Sequence, residues 1–281
     1  MGMSFSPSPK IRPQPAFVLL RNLVHERTGL FFDDARLEVF IGKVSPLIVE
    51  REMDSVLDYY YLLKYDPSAD EWRKVFDSLT IQESYFWREM GQIRALVDVI
   101  VPRYFAANPD HTLNIWSAAC AGGEEPLTIA MALNEAGWFD RARIEIHASD
   151  ASPRAVATAR MGVYKERSFR SLPPELREKY FSETENASRV SSDLHSRIRF
   201  RLTNIMSDAD HAPMASPVIF CRNVFIYFSD GAARKTVRRF AERMARPSYL
   251  FVGTAESLMP ITSEFEPQEF GDAFVYVRTA P

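Results

Sequence analysis

From Leu113 onward, short apolar runs alternate with amphipathic helical stretches, and this alternation restricts the larger part of the chain to an α/β fold. LNIWSAAC precedes EEPLTIAMALNEAG, RIEIHASD precedes SPRAVATARMG, PVIFCRN precedes a helical stretch from Asp230 to Arg246, and YLFVGT follows. Repeated strand and helix alternation predicts a parallel sheet with helices on both faces. Two segments break the rhythm. Between Met161 and Asn204 lies a polar insert with a turn at Leu172 to Pro174, a helix through Tyr180 and Phe181, and alternating segments around SRVSSD and SRIRFRLTN. It reads as a small antiparallel β excursion leading into the next main strand. FEPQEFGDAFVYVR reads as two strands joined near Gly271 and Asp272, a hairpin closing the sheet.

Residues 15 to about 80 carry a different pattern. Phe17, Leu20, Leu23 and Val24, then Leu37, Phe40 and Ile41, then Val56, Tyr59, Tyr60 and Leu63 recur at helical spacing, and strand patterns are absent. The tyrosine-rich LDYYYLLKY reads as the core face of one such helix. The expected organisation is a Pro-rich arm at 1–14, a helical domain at 15–85 and an α/β domain at 86–281 with its β insert at about 180–203. TIQESYFWRE and a helix ending by Pro102 and Arg103 join the halves. Gly2 with Ser6 fits a myristoylation pattern, but so short a match is common and a flexible arm is the preferred reading.

The 281 residues suffice for two domains, and 46% hydrophobic with 25% charged residues excludes disordered and collagen-like chains. A net charge of −3 provides no general field for nucleic acid or an anionic membrane. Cys120 and Cys221 have neither disulfide-framework nor zinc-site spacing, and no run approaches the length of a membrane span, so a soluble protein of a reducing, cytoplasmic compartment is expected.

Candidate chemistry collects where the strands end. After LNIWSAAC the chain runs through Ala121, Gly122 and Gly123 into Glu124, Glu125 and Pro126 at a helix start. The glycines let a ligand approach the backbone, and a helix N-terminus offers unpaired N–H groups. The G-x-G-x-x-G dinucleotide pattern is missing and two carboxylates would repel a pyrophosphate, so a cofactor bearing positive charge fits better. An ordinary tight β-to-α turn would carry the same residues. Asp150 ends the next apolar strand, where an acidic side chain can hold ribose hydroxyls; with the glycine turn this suggests an adenosine cofactor. Followed by Ser152 and Pro153, it would serve equally well as a helix cap. CRNVFIYF ends a buried strand in Arg222 and Asn223, costly there without partners, with Tyr227 in reach of the same edge. A surface ion pair and a core tyrosine are the plain alternative. TIQESYFWRE sets Gln82, Ser84 and Arg88 among Tyr85, Phe86 and Trp87, as either a lid over a cofactor or a helix packed on a sheet would. His25, His111, His147, His195 and His211 show no metal-ligand spacing, and no nucleophile motif argues for triad hydrolysis. No metal is expected.

In order along the chain, QESYFWRE, CAGGEEP, ASD at the end of the second strand, ARMGVY, TNI and CRNVFIYF resemble the motifs of the chemotaxis receptor glutamate methyltransferases, the CheR family of S-adenosylmethionine enzymes. The resemblance spans about Phe17 to Arg278. It implies a small all-α N-terminal domain, then a Rossmann-like class I methyltransferase sheet with an inserted small antiparallel β subdomain. The implied cofactor is S-adenosyl-L-methionine, leaving S-adenosyl-L-homocysteine as product. Gln82, Ser84 and Arg88 would line that cofactor from the junction, Glu125 would lie beside its methionyl end and Asp150 would hold the ribose. Asn204 and Ile205 would flank the adenine, and Arg222 and Asn223 would complete the pocket. Arg88, Arg222 and Tyr227 would border the reacting methyl group.

The implied acceptor is a glutamate carboxylate in the cytoplasmic signalling region of a chemoreceptor-like protein, with a peptide-tail tether at the β subdomain. The enzyme would act as a monomer, without nucleic acid and without inserting into the membrane. Departures from the family pattern include Gln82 for Asn, Ser84 for Thr, Trp87 for Phe, Gly122 for Thr and Leu127 for Tyr. In DDARLEVFIGKVSPLIVERE, the stretch matching the family's basic receptor-reading helix, only Arg36, Lys43 and Arg51 are basic and Pro46 is expected to interrupt the helix. Weaker electrostatic docking on an acidic receptor follows. The competing functions are an S-adenosylmethionine-binding signalling scaffold and methylation of another protein or of a small carboxylate.

Overall fold

The computed structural model describes residues 15–66, 70–207 and 215–279, so the expected arm at 1–14, with Gly2 and Ser6, and His211 lie outside the described residues. The chain begins with helices α1 (Pro15–Thr28), α2 (Leu37–Glu50), α3 (Val56–Tyr65) and α4 (Asp70–Leu79). Leu20 and Val24 of α1, Phe40 and Val44 of α2, Tyr59 and Leu63 of α3, and Trp72 and Val75 of α4 recur at three- and four-residue spacing and close into one apolar cluster. LDYYYLLKY therefore supplies a core face through Tyr59 and Leu63, while Tyr61 and Tyr65 stack on each other at the surface.

Pro46 does not interrupt α2. Val44 and Ile48 on either side of it are buried, and their packing outweighs the roughly 3 kcal/mol that an interior proline costs a helix. The junction also departs from expectation. Helix α5 (Met90–Arg94), a π-helical stretch at Ala95–Ile100 and α6 (Val101–Ala107) form one continuous segment, so it does not end by Pro102 and Arg103. In the π pattern Pro102 would donate to the Val97 carbonyl, for which it has no N–H. Trp138 Nε1 donates there instead, at 3.2 Å.

The α/β part runs through β1 (Leu113–Ala118), α7 (Glu124–Glu135), α8 (Trp138–Arg141), β2 (Ile144–Asp150) and α9 (Pro153–Met161). It continues with β3 (Val163–Tyr164), α10 (Pro174–Tyr180), β4 (Phe181–Thr184), β5 (Ala187–Val190), α11 (Ser192–His195) and β6 (Ile198–Leu202). The chain then passes through β7 (Val218–Phe220), α12 (Asp230–Arg243), β8 (Ser248–Phe251), β9 (Glu266–Phe270) and β10 (Ala273–Arg278). A seven-stranded sheet has the order β6-β2-β1-β7-β8-β10-β9, with β10 antiparallel to both neighbours and the other pairings parallel. Strands β3, β5 and β4 make a separate antiparallel sheet. The insert expected at about 180–203 thus divides. Ile198–Leu202 pairs with β2 in the main sheet because Ile198 is buried in the same core as Ile146.

Successive residues of β1 serve two cores, as strand geometry requires. Ile115 packs with Ile129, Ile146 and Phe220 on one face, and Trp116 with Ile219, Phe240 and Leu250 on the other. From β1 the chain builds outward to β2 and β6, and from β7 it builds the opposite way, so a crevice opens at the carboxyl ends of β1 and β7. The helical bundle closes over it. Phe31 N–H donates to the Tyr227 carbonyl at 2.8 Å, Asn204 Nδ2 donates to the Arg27 carbonyl at 2.9 Å, and Asp77 accepts from Ser152 Oγ and from Arg154 N–H. No helix among the described residues is long and apolar enough to cross a membrane.

Candidate active site

A cavity of about 240 Å³ occupies the crevice, walled by the sheet on one side and by the helical bundle on the other. Gln82, Ser84 and Arg88 from the junction line it together with Glu125, Asp150, Asn204, Ile205, Arg222, Asn223 and Tyr227. The candidate residues scattered through the sequence thus meet at one place, joined by Arg36 and Lys43 of the stretch matched to the receptor-reading helix and by Thr28, Leu30 and Phe31 of the helical domain, which no motif had marked.

The glycine turn is tighter than its two glycines suggest. Ala119 and Ala121 sit in left-handed backbone at φ 60° and 48°, and Gly123 at φ 95°, so three alternate residues bend the chain from β1 into α7. A non-glycine residue there costs of order 1–3 kcal/mol and is held only by its surroundings. Here Cys120 N–H donates to the Ser149 carbonyl at 2.8 Å and Ala121 N–H to Asp150 Oδ2 at 3.0 Å. A side chain at Gly123 would be strained at its φ and crowded, its Cβ 3.0 Å from the Tyr164 hydroxyl and 3.1 Å from Ala159 Cβ.

Asp150 also accepts from Ser152 N–H at 2.9 Å, whereas the cap of α9 is Ser152, whose Oγ accepts from Ala155 N–H at 3.1 Å. Asp150 braces two turns, and an ionised carboxylate with about four acceptor positions retains capacity for a ligand hydroxyl. Burial pushes its carboxyl above the ordinary range, against the backbone N–H groups of Ser152, Ala121 and Ala151. Glu125 is raised in the same way by burial, with Arg222 and the Ser117 hydroxyl, which donates at 2.6 Å, pulling it down.

Arg222 is deeply enclosed, with its side chain 3% exposed. One terminal nitrogen lies 3.3 Å from Glu125 Oε2; the other lies 3.0 Å from Glu89 Oε2 and donates to the Arg88 carbonyl at 3.0 Å. Its Nε has no hydrogen-bond partner. Arg88 is freer at 27% exposed, with its guanidinium over the Tyr85 ring and its Nε 3.6 Å from Glu89 Oε1. Two cations and two anions therefore form one largely buried network. Glu89 lies within the WRE motif but was not singled out, because Arg222, the partner that gives it a role, is remote in sequence.

The remaining candidates divide between cavity and scaffold. Gln82 Nε2 donates to Ser152 Oγ at 2.6 Å, and Ser84 lies by the buried Glu124 carboxylate, which accepts from Ser168 Oγ at 3.0 Å. Asn204 accepts from Met206 N–H at 2.9 Å in addition to holding Arg27, and Ile205 is buried beside it. Asn223 lies in left-handed backbone at φ 58°, and Tyr227 ends a short 3₁₀ turn at Phe225–Tyr227. Cys120 and Cys221 are buried free thiols that desolvation pushes well up, which keeps them protonated and unreactive.

Comparison with known proteins assigns the family over most of the chain. The sequence model of the CheR methyltransferase all-alpha domain matches residues 15–80, and that of the CheR methyltransferase SAM binding domain matches residues 82–273. Chemotaxis protein methyltransferase 2 of Vibrio cholerae is 32% identical over 266 residues, covering 93% of this chain and 92% of that protein. Chemotaxis protein methyltransferase 1 of Pseudomonas aeruginosa is 30% identical, covering 92% of this chain and 96% of its own. The chemotaxis protein methyltransferase of Escherichia coli is 26% identical, with 89% of this chain and 86% of the relative covered.

Proposed function

The chain belongs to the CheR methyltransferase family and is an S-adenosylmethionine-dependent methyltransferase with the α/β fold of class I enzymes, and we propose that it methylates glutamate side chains of a chemoreceptor or receptor-like signalling protein. The observation that carries this reading is the composition of this cavity: two largely buried carboxylates, Glu125 and Asp150, beside a partly exposed guanidinium, Arg88. The cofactor fits that wall by charge, since its ammonium and sulfonium would offset the cost of holding buried carboxylates ionised. Asp150 would hold the ribose, Glu125 the methionyl end, Asn204 and Ile205 the adenine, and Gln82, Ser84, Arg222 and Asn223 the rest of the wall.

When bound, the cofactor supplies an electrophilic methyl group on a sulfur that departs as a neutral thioether. The protein needs no general base, because a glutamate carboxylate with an ordinary pKa of about 4.3 is already the ionised nucleophile at neutral pH. Its task is alignment. Arg88 would take the incoming carboxylate in a charge-assisted fork and place one oxygen in line, while Arg222, its two terminal nitrogens engaged by Glu89, Glu125 and the Arg88 carbonyl, keeps the wall rigid. Tyr227 would close the site beside the reacting centre.

At the mouth, Arg36, Lys43, Val39 and Phe31 combine cationic and exposed apolar side chains, which suits a helix with both acidic and apolar positions. Strand β4 is an edge of the small sheet and would accept an extended receptor tail as a further strand. The protein would act as a monomer in the cytoplasm, where Cys120 and Cys221 stay reduced. To test the function, the protein is mixed with methyl-labelled S-adenosylmethionine and membranes of its own host, and labelled bands are treated with base. Label at receptor-like size that leaves as methanol is expected. Binding of S-adenosylhomocysteine without any labelled band would sink the receptor reading in favour of a sensor or a different acceptor.

A further inference from the structure

We infer that Glu256, which does not line the cavity, is a positioning residue for methyl transfer, its carboxylate fixing the backbone of the loop that carries Asn223 and Tyr227. The inference rests on the methyltransferase reading and adds to it a residue that acts through the loop. After β7 the chain turns through Arg222 and Asn223 into the 3₁₀ turn at Phe225–Tyr227. Asn223 is left-handed at φ 58°, a conformation that asparagine tolerates better than most residues and that its surroundings here enforce. The enforcement comes from the loop after the neighbouring strand β8. Glu256 Oε2 accepts from Asn223 N–H at 2.7 Å and from Gly253 N–H, and Oε1 accepts from Ile226 N–H at 3.2 Å. Phe225 N–H reaches the same carboxylate. Backbone amides of two neighbouring loops thus form an anion nest that the protein fills with its own side chain.

The fit leaves little room. A Cβ at residue 253 would lie 2.5 Å from Asn223 Nδ2 and 2.9 Å from Glu256 Oε2, so the Asn223 amide and the carboxylate are both packed down on Gly253. The supporting loop is itself fixed, with Glu256 N–H donating to the Gly253 carbonyl at 2.8 Å and Leu258, fully buried, donating its N–H to the Tyr276 hydroxyl at 2.8 Å. Tyr227 is held from the opposite side by Phe31 N–H on its carbonyl. One end of the Asn223–Tyr227 loop therefore answers to the helical domain and the other to Glu256.

The test is Glu256→Gln, which keeps the volume but turns an NH₂ group toward amide donors. Hydrogen exchange of the ligand-free protein is expected to accelerate roughly tenfold at residues 223–226 while residues 144–150 stay unchanged. In steady state kcat is expected to fall about 10²-fold, with KM for S-adenosylmethionine and Kd for S-adenosylhomocysteine within about threefold of wild type. Gly253→Ala keeps the carboxylate but drives a Cβ into Asn223, and should give the same separation of kcat from Kd. Unchanged exchange and kcat in Glu256→Gln would overturn the inference. So would exchange rising throughout the sheet domain with cofactor affinity lost in parallel, since that describes a residue that merely holds the fold. Should wild-type protein label no acceptor at all, the methyl-acceptor reading fails instead, and local exchange still decides whether Glu256 holds the loop.

Discussion

Arg88 and Arg222 stand side by side in the cavity wall, yet their surroundings assign them different work. Arg222 spends its terminal nitrogens on Glu89, Glu125 and the Arg88 carbonyl, whereas Arg88 is 27% exposed, with its Nε 3.6 Å from Glu89 and one terminal nitrogen in a long 3.5 Å bond to the Glu83 carbonyl, which leaves its other terminal nitrogen open. A guanidinium already engaged on both terminal nitrogens has no fork left for an incoming carboxylate. Arg88→Ala is therefore expected to lower kcat by about 10²-fold while Kd for S-adenosylhomocysteine, read by calorimetry, moves less than about threefold. Equal losses in both would show that Arg88 serves the cofactor. Both arginines stood out in the sequence because each follows an aromatic or apolar run. Which of them is free did not, since Glu89 and Glu125 reach Arg222 only once β1, β7 and the junction are assembled. Asp150 and Glu125 make a second residue-scale prediction. Burial raises both carboxyls, and a cationic ligand favours their ionised forms, so affinity for S-adenosylmethionine should rise with pH through the raised range and then level off. Binding within that range should release protons, visible as calorimetric heats that depend on the buffer's ionisation enthalpy. The ligand-free protein should show the opposite sign: between the ordinary and the raised pKa the native state holds more protons than the unfolded chain, so these groups' share of stability falls as pH rises. A urea midpoint that moves less with pH in Asp150→Asn than in wild type would give that residue's share of the effect, the remainder staying with Glu125.

Two of the elements that differ from the sequence reading do so where a proline met a packed environment. Val44 and Ile48 carry α2 past Pro46, and the π-helical stretch carries the junction past Pro102 with Trp138 on the Val97 carbonyl. Proline's local penalty is visible in a sequence; the buried neighbours and the remote indole that offset it are not. The strand and helix alternation from β1 to β8 was legible because each strand is apolar along its length and each helix amphipathic. Strand β6 was harder, since IRFRL alternates like an exposed strand although Ile198 is buried beside β2. Trp138→Phe isolates the junction's device. It keeps the ring beside Phe105 and removes the N–H, leaving the Val97 carbonyl without its donor. A loss of about 1–3 kcal/mol in urea unfolding is expected, with kcat at low temperature unchanged. An undiminished midpoint would mean that water replaces the indole.

At the scale of the whole molecule, the cavity belongs to neither half alone: Thr28, Leu30 and Phe31 of the helical domain face Asp150, Asn204 and Tyr227 of the sheet domain across it. The halves are fastened around its rim by Asp77 to Ser152, Asn204 to Arg27 and Phe31 to Tyr227, and His25 Nε2 lies 2.8 Å from Ser229 Oγ, the cap of α12. A ligand that fills such a site binds only when both halves are in place, so it should stabilise them together. At a hundredfold excess over Kd, S-adenosylhomocysteine is expected to add about 2.7 kcal/mol to unfolding. Hydrogen exchange should slow both at residues 28–32 and at residues 119–123 and 150–152. Asp77→Ala removes the acceptor of Ser152 Oγ and of Arg154 N–H without touching the cavity wall, and should weaken this coupling: exchange at 150–152 still slows with ligand, but less of that protection reaches 28–32. Protection confined to the sheet domain in wild type would show that the helical bundle does not close on the cofactor, and its residues at the cavity would then be left to the methyl acceptor alone.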